Sequence, residues 1–129
     1  MNNQEAQKMG YLKLERSHQL GNLASELARI RRNLQEGDEV GKQIVLSSIE
    51  TCQDFTEWTI TTLDLMNSES DLNLAEELLR IGRQLTVWKF HVQEVFETQE
   101  KRLESAAIAQ QWSQELLAKS GLLQSSEPK

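Results

Sequence analysis

The chain has 129 residues and a formal charge of -6, a length that supports one domain with one continuous core and excludes two. One proline and six glycines, against an abundance of Leu, Glu, Gln, Ala, Lys and Arg, argue against a sheet protein built on tight turns and point to long helices. The acidic balance argues against non-specific attraction to nucleic acid or to an anionic membrane, which needs an excess of Lys and Arg.

The single cysteine, Cys52, has no intramolecular disulfide partner. With Ile49 and Phe55 as helical neighbours it is expected to be a buried, reduced thiol. The polar start from Met1 to Glu5 lacks the apolar run of a secretory signal, and no apolar run reaches membrane-spanning length. The expected location is cytoplasmic.

The first helical stretch begins near Asn2 or Asn3, where Asn2 with Glu5 has capping-box spacing. Gly10 and Gly21 weaken it by roughly 1 kcal/mol each against alanine. From Leu20 the pattern sharpens, with Leu20, Leu23, Leu27, Ile30 and Leu34 at steps of three and four. Beside them runs a row of small residues, Gly21, Ala24 or Ser25, and Ala28, shallow enough for a neighbouring helix to approach closely. Gly37 suits a left-handed stop and Asp38 an N-cap.

The second stretch runs from Asp38 or Glu39 to Met66, with Val40, Ile44, Val45, Ile49, Cys52, Phe55, Thr59, Leu63 and Met66 as its apolar stripe. Residues Thr56 to Thr62 are rich in β-branched side chains. No second strand candidate exists to pair with them, so the helical reading stands. Asn67 to Ser70 form a polar turn that offers caps to the third stretch.

That third stretch, from Asp71 to Ser120, carries Leu74, Leu78, Ile81, Leu85, Trp88, Val92 and Val95 at alternating steps of four and three. Such a seam is buried in a bundle or coiled coil. It falters between Glu97 and Glu104, where Gln99 and Arg102 stand in place of Leu and Val, and Leu103, Ala107, Ile108, Trp112, Leu116 and Leu117 resume it in a shifted phase. With no Gly or Pro to mark a turn, the stretch reads as one helix about 70 Å long at 1.5 Å per residue, ending at Gly121.

The expected architecture is all-α: a long three-helix bundle with antiparallel neighbours and an overlong third helix, the alternative being a four-helix bundle with a break near Thr98. Residues 1–121 form one helical-bundle domain in this reading, and 122–129 a frayed polar tail. Because the second helix is so much shorter than the third, residues beyond Glu100 would project by roughly 30 Å. Leu103, Ile108, Trp112, Leu116 and Leu117 would then be an exposed apolar stripe, the mark of an interaction site. A homodimer formed through these residues is expected, together with an unidentified protein partner.

Catalytic and metal signatures are weak. Glu15 and His18 have the spacing of half a di-iron carboxylate site, but His91 is followed by Glu94 rather than preceded by a glutamate, so the second half is missing. One cysteine and two histidines make no structural zinc set. Cys52 has no histidine near it in sequence to activate it. No cofactor and no metal are expected. Arg29, Arg31 and Arg32 form a possible basic patch, which Arg80 and Arg83 would extend if their helices lay side by side; these arginines also complement the C-terminal end of a helix dipole. The function expected from these features is that of a non-enzymatic protein-protein interaction module, a small cytoplasmic regulator or adaptor acting as a homodimer. The alternative is a nucleic-acid-associated helical regulator using the Arg29 to Arg32 patch.

Overall fold

The computed structural model describes residues 2–121; the tail expected over 122–129 lies outside the described residues. Six helices follow one another: α1 (Asn3–Leu12), α2 (Arg16–Glu36), α3 (Glu39–Thr61), α4 (Glu69–Phe90), α5 (Val92–Glu97) and α6 (Gln99–Ser120). They account for 87% of the described residues, which contain no strand, so the all-α expectation holds even over the β-branched run at Thr56.

Local chemistry sets the ends. Asn2 accepts from the Glu5 amide at 2.7 Å and starts α1, Asp38 accepts from the Gly41 amide at 2.6 Å and starts α3, and Ser68 accepts from the Asp71 amide at 3.1 Å and starts α4. Each supplies an acceptor for an amide that the helix leaves unpaired. Gly37 ends α2 at φ 72° and Gly121 follows α6 at φ 79°, a backbone region closed to most other residues. Toward the end of α3 the Thr61 and Thr62 hydroxyls donate to the carbonyls of Trp58 and Thr59. The helix therefore stops before Leu63, and Met66 stands in the exposed turn rather than in a helical stripe.

Two of the expected helices are divided. The first breaks at Lys13 to Glu15, so α1 crosses the end of α3 instead of extending α2. Tyr11 stacks on Phe55 at 4.5 Å and lies 5.7 Å from Trp58. Its hydroxyl donates to the Gln19 carbonyl and shares a 2.7 Å hydrogen bond with Thr59 Oγ1, while Gln19 Nε2 donates back to the Tyr11 carbonyl at 3.2 Å. The third expected helix is divided at His91 and again at Thr98. Thr98 adopts an extended backbone, and its hydroxyl accepts from the Lys101 amide at 3.1 Å. A threonine cap thus does what the absence of Gly and Pro seemed to forbid, and the chain turns at Thr98 rather than projecting.

Four long helices, α2, α3, α4 and α6, form the walls of the bundle. Short connections make α2 and α3 antiparallel, and likewise α3 and α4. α6 returns antiparallel to α2, with Arg102 at the Leu34 end and Ser113 at Ala24. Leu20, Leu23, Leu27, Ile30, Val45, Ile49, Leu78, Ile81 and Leu85 are all buried in one core. The ends of α2 and α4 are tied by Arg16, whose Nη1 lies 2.9 Å from Asp71 Oδ1. Asp71 Oδ2 accepts from the Asp64 amide at 2.8 Å, so one carboxylate joins α2, the turn after α3, and α4.

Candidate protein-interaction surface

The stripe expected on the last helix is split by the way α6 folds back. Leu116 is fully buried, and Trp112 is half-buried with its ring 6.4 Å from that of Trp88. Leu117 is partly buried against the core. Leu103 and Ile108 stay 43% and 38% exposed, but at their spacing they do not share a helical face. What α6 lays against α2 is a row of small residues, Ser105, Ala106, Ala109 and Ser113, all buried. On α2 the small residues Gly21 and Ala24 are likewise buried, and the Ser113 hydroxyl donates to the Ala24 carbonyl at 2.8 Å. Small side chains on both helices let the backbones approach, and the contact of α2 with α6 is the most extensive between two helices among the described residues. The close neighbour foreseen for the small row of α2 is therefore α6 of the same chain.

The groups considered for chemistry are scattered. Cys52 lies in the core, where burial, and secondarily the charge of Glu26, push its thiol well above the ordinary range; the reactive thiolate is disfavoured there. His18 is exposed, and His91 Nδ1 lies 3.4 Å from the Glu94 carboxylate of the same short helical segment. Among the described residues no group of three His, Cys, Asp or Glu side chains is placed to hold a metal ion. Arg29 and Arg32 are exposed and Arg31 half-buried on the last turns of α2, and none of the three forms an ion pair among the described residues. Since α2 has α3 and α6 as its close neighbours, Arg80 and Arg83 of α4 do not continue this patch.

The outer side of α4 is different in kind. Its inner positions, Leu74, Leu78, Ile81, Leu85 and Trp88, are buried as their spacing predicts. Leu72, Leu79, Val87 and Phe90 point away from the core, with Leu79 62% and Phe90 78% exposed. Beside Leu79 a groove of about 590 Å³ runs between α3 and α4, bordered by Gln53, Glu57, Ile60 and Arg83. Gly82 leaves it open, since a Cβ there would meet nothing nearer than the Thr56 methyl at 3.9 Å. The Thr56 hydroxyl, also on this groove, is buried without a hydrogen-bond partner among the described residues.

The strong inner seam of α4 masks this surface in the sequence. A second four-three series on the same helix, Leu72, Glu76, Leu79, Arg83, Thr86 and Phe90, was the available signal. Its charged members hid it. No family model, no curated protein and no solved structure matches the chain.

Proposed function

We propose that the chain is a non-enzymatic protein-protein interaction module, a small cytoplasmic regulator or adaptor, and that its binding face is the outer side of α4. The observation that carries this reading is the row Leu72, Leu79, Val87 and Phe90, apolar surface that soluble proteins seldom leave bare unless it binds something. Supporting it, Cys52 lies in the core, and His18 and His91 stand apart on the surface. No helix among the described residues is long and apolar enough to cross a membrane, and a buried, reduced thiol suits a reducing compartment.

The test is a comparative pull-down with the parent chain and a Leu79→Asp, Phe90→Asp variant, both shown to be folded by circular dichroism. Proteins retained by the parent and lost by the variant are the expected result. Identical sets of retained proteins would refute α4 as the binding face. A nucleic-acid role for Arg29, Arg31 and Arg32 is favoured by their lack of carboxylate partners among the described residues and opposed by the net charge of -6; it requires binding that weakens steeply with salt.

A further inference from the structure

We propose that the occupant of the α4 face is a second copy of this chain, its α4 lying antiparallel to the first across a two-fold axis near Ile81. The inference rests on the interaction-module reading and names its partner. Its basis is that the outer row of α4 is complementary to itself when reversed.

Six positions, Leu72, Glu76, Leu79, Arg83, Thr86 and Phe90, recur at steps of four, three, four, three and four, the spacing of a two-helix seam. All six are exposed. The series is symmetric in its spacing about residue 81. Reversal therefore sets Leu72 opposite the partner's Phe90, Glu76 opposite the partner's Thr86, and Leu79 along the aliphatic stem of the partner's Arg83. Both ends of the seam are then apolar.

Charge is polarised in the same sense. Glu69 and Glu76 occupy the first half of the helix, and Arg80, Arg83 and Lys89 the second. A parallel pairing would stack like charges, whereas the antiparallel one lays each acidic half on a basic half. Among the described residues of one chain, Glu76 approaches only Arg80, at 3.8 Å, and Arg83 has no ion pair. In the dimer Glu76 comes within reach of the partner's Arg83, twice, by symmetry. An isologous contact of this kind uses one patch on both subunits and closes at two.

Sedimentation equilibrium of the full chain is expected to show a dimer. Arg83→Glu should weaken it roughly tenfold through like-charge repulsion with Glu76, and Glu76→Arg should do the same. The two reversals combined in one chain restore opposite charges across the seam and should return the dissociation constant to near the parent value, which a general loss of folding would not do. Orientation is read by disulfide capture, since Cys52 is buried and does not compete. A chain carrying Leu72→Cys should cross-link to one carrying Phe90→Cys on mixing, but neither to itself, because those positions are about 27 Å apart along the helix. A monomeric parent, a dimer indifferent to the charge reversals, or self-linking by either single variant overturns the proposal. If the parent is monomeric yet the pull-down loses proteins with Leu79→Asp, Phe90→Asp, the interaction module stands and only its partner has been misassigned.

Discussion

Arg102 reaches from the first turn of α6 to the end of α2, where its Nη1 donates to the Leu34 carbonyl at 2.9 Å. The neighbouring Gln35 carbonyl lies 3.4 Å from the same nitrogen. The last carbonyls of a helix have no partner within it, and here a cation from a distant helix supplies one. Gly37 makes the approach possible: a Cβ at that residue would stand 1.8 Å from Arg102 Nη1.

Gly37 and Arg102 should therefore couple in a double-mutant cycle. Gly37→Ala carries a backbone cost of about 1–2 kcal/mol for a left-handed residue with a side chain, and it also displaces the guanidinium. Arg102→Ala should cost about 1 kcal/mol by removing a charged donor. The double variant should cost less than the sum of the two, because the displacement term disappears with the arginine. Urea unfolding of the three variants measures this, and strict additivity would break the link.

The α2 and α6 contact predicts an unusual order of sensitivities along α6. Ala109→Leu inserts bulk where Ala109 is fully buried and should destabilise by about 1–3 kcal/mol. Leu103→Ala removes bulk from an exposed position and should change stability by less than about 0.5 kcal/mol. Leu85→Ala in α4, at a fully buried site, should cost about 2–5 kcal/mol. Thermal melts rank the three; an Ala109→Leu chain melting with the parent would mean that α6 does not lie on α2.

Acid should loosen the tie at Asp71. The Asp64 amide, followed by the Arg16 side chain, holds the Asp71 carboxyl below its ordinary value. A depressed carboxyl contributes stability that is present above the unfolded value, near about 3.9, and is lost as pH falls through the lower folded value. Stability measured from pH 5 downward should fall less steeply in Asp71→Asn than in the parent. Asp54 has the opposite sign: burial, with Glu57 and Glu50 nearby, raises its carboxyl value, so Asp54→Asn should stabilise the protein at neutral pH.

Tyr11 is the only tyrosine, which makes its titration directly visible. Burial outweighs its hydrogen bond with Thr59 and pushes the phenol up to about 12. Its stabilising share is intact below the unfolded value of about 10 and is lost as pH rises from there toward the folded one. Absorbance should show tyrosinate appearing only near pH 12 or together with alkaline unfolding; ordinary titration near pH 10 in a still-folded protein would detach α1 from α3.

Much of the fold was legible because helix ends and large apolar side chains leave strong signals. The caps at Asn2 and Asp38, the polar turn that holds the Ser68 cap, the glycine stops at Gly37 and Gly121, and the burial of Leu27, Leu85 and Trp88 all follow from spacing and local chemistry, whereas the Asn73 and Glu76 spacing suggests a start near Asp71 and the helix begins at Glu69. The break at Thr98 was harder, since a hydroxyl cap in mid-pattern looks like one more polar position. Packing of α6 was hidden for a related reason: Ser105, Ala106, Ala109 and Ser113 contribute little apolar area each, so large side chains drew attention to Leu103 and Ile108, which are exposed, and away from the face that is buried. Arg102 looked like a fault in the seam and is a cap for another helix. Trp58, outside the main stripe of α3, owes its burial to Tyr11, a contact no periodicity within α3 encodes.

The small face on α2 packs against α6, a helix made long after it. At roughly 5–20 residues per second, the 84 residues from Gly37 to Ser120 occupy a ribosome for about 4–17 s, and for that time the groove along Gly21 and Ala24 lacks α6. Helices α2 and α3 can pair as soon as they emerge, because their contacts are local. The nascent chain therefore waits as an open trough whose apolar floor is wet, which makes the interval before α6 arrives the one in which a chaperone has most to shield.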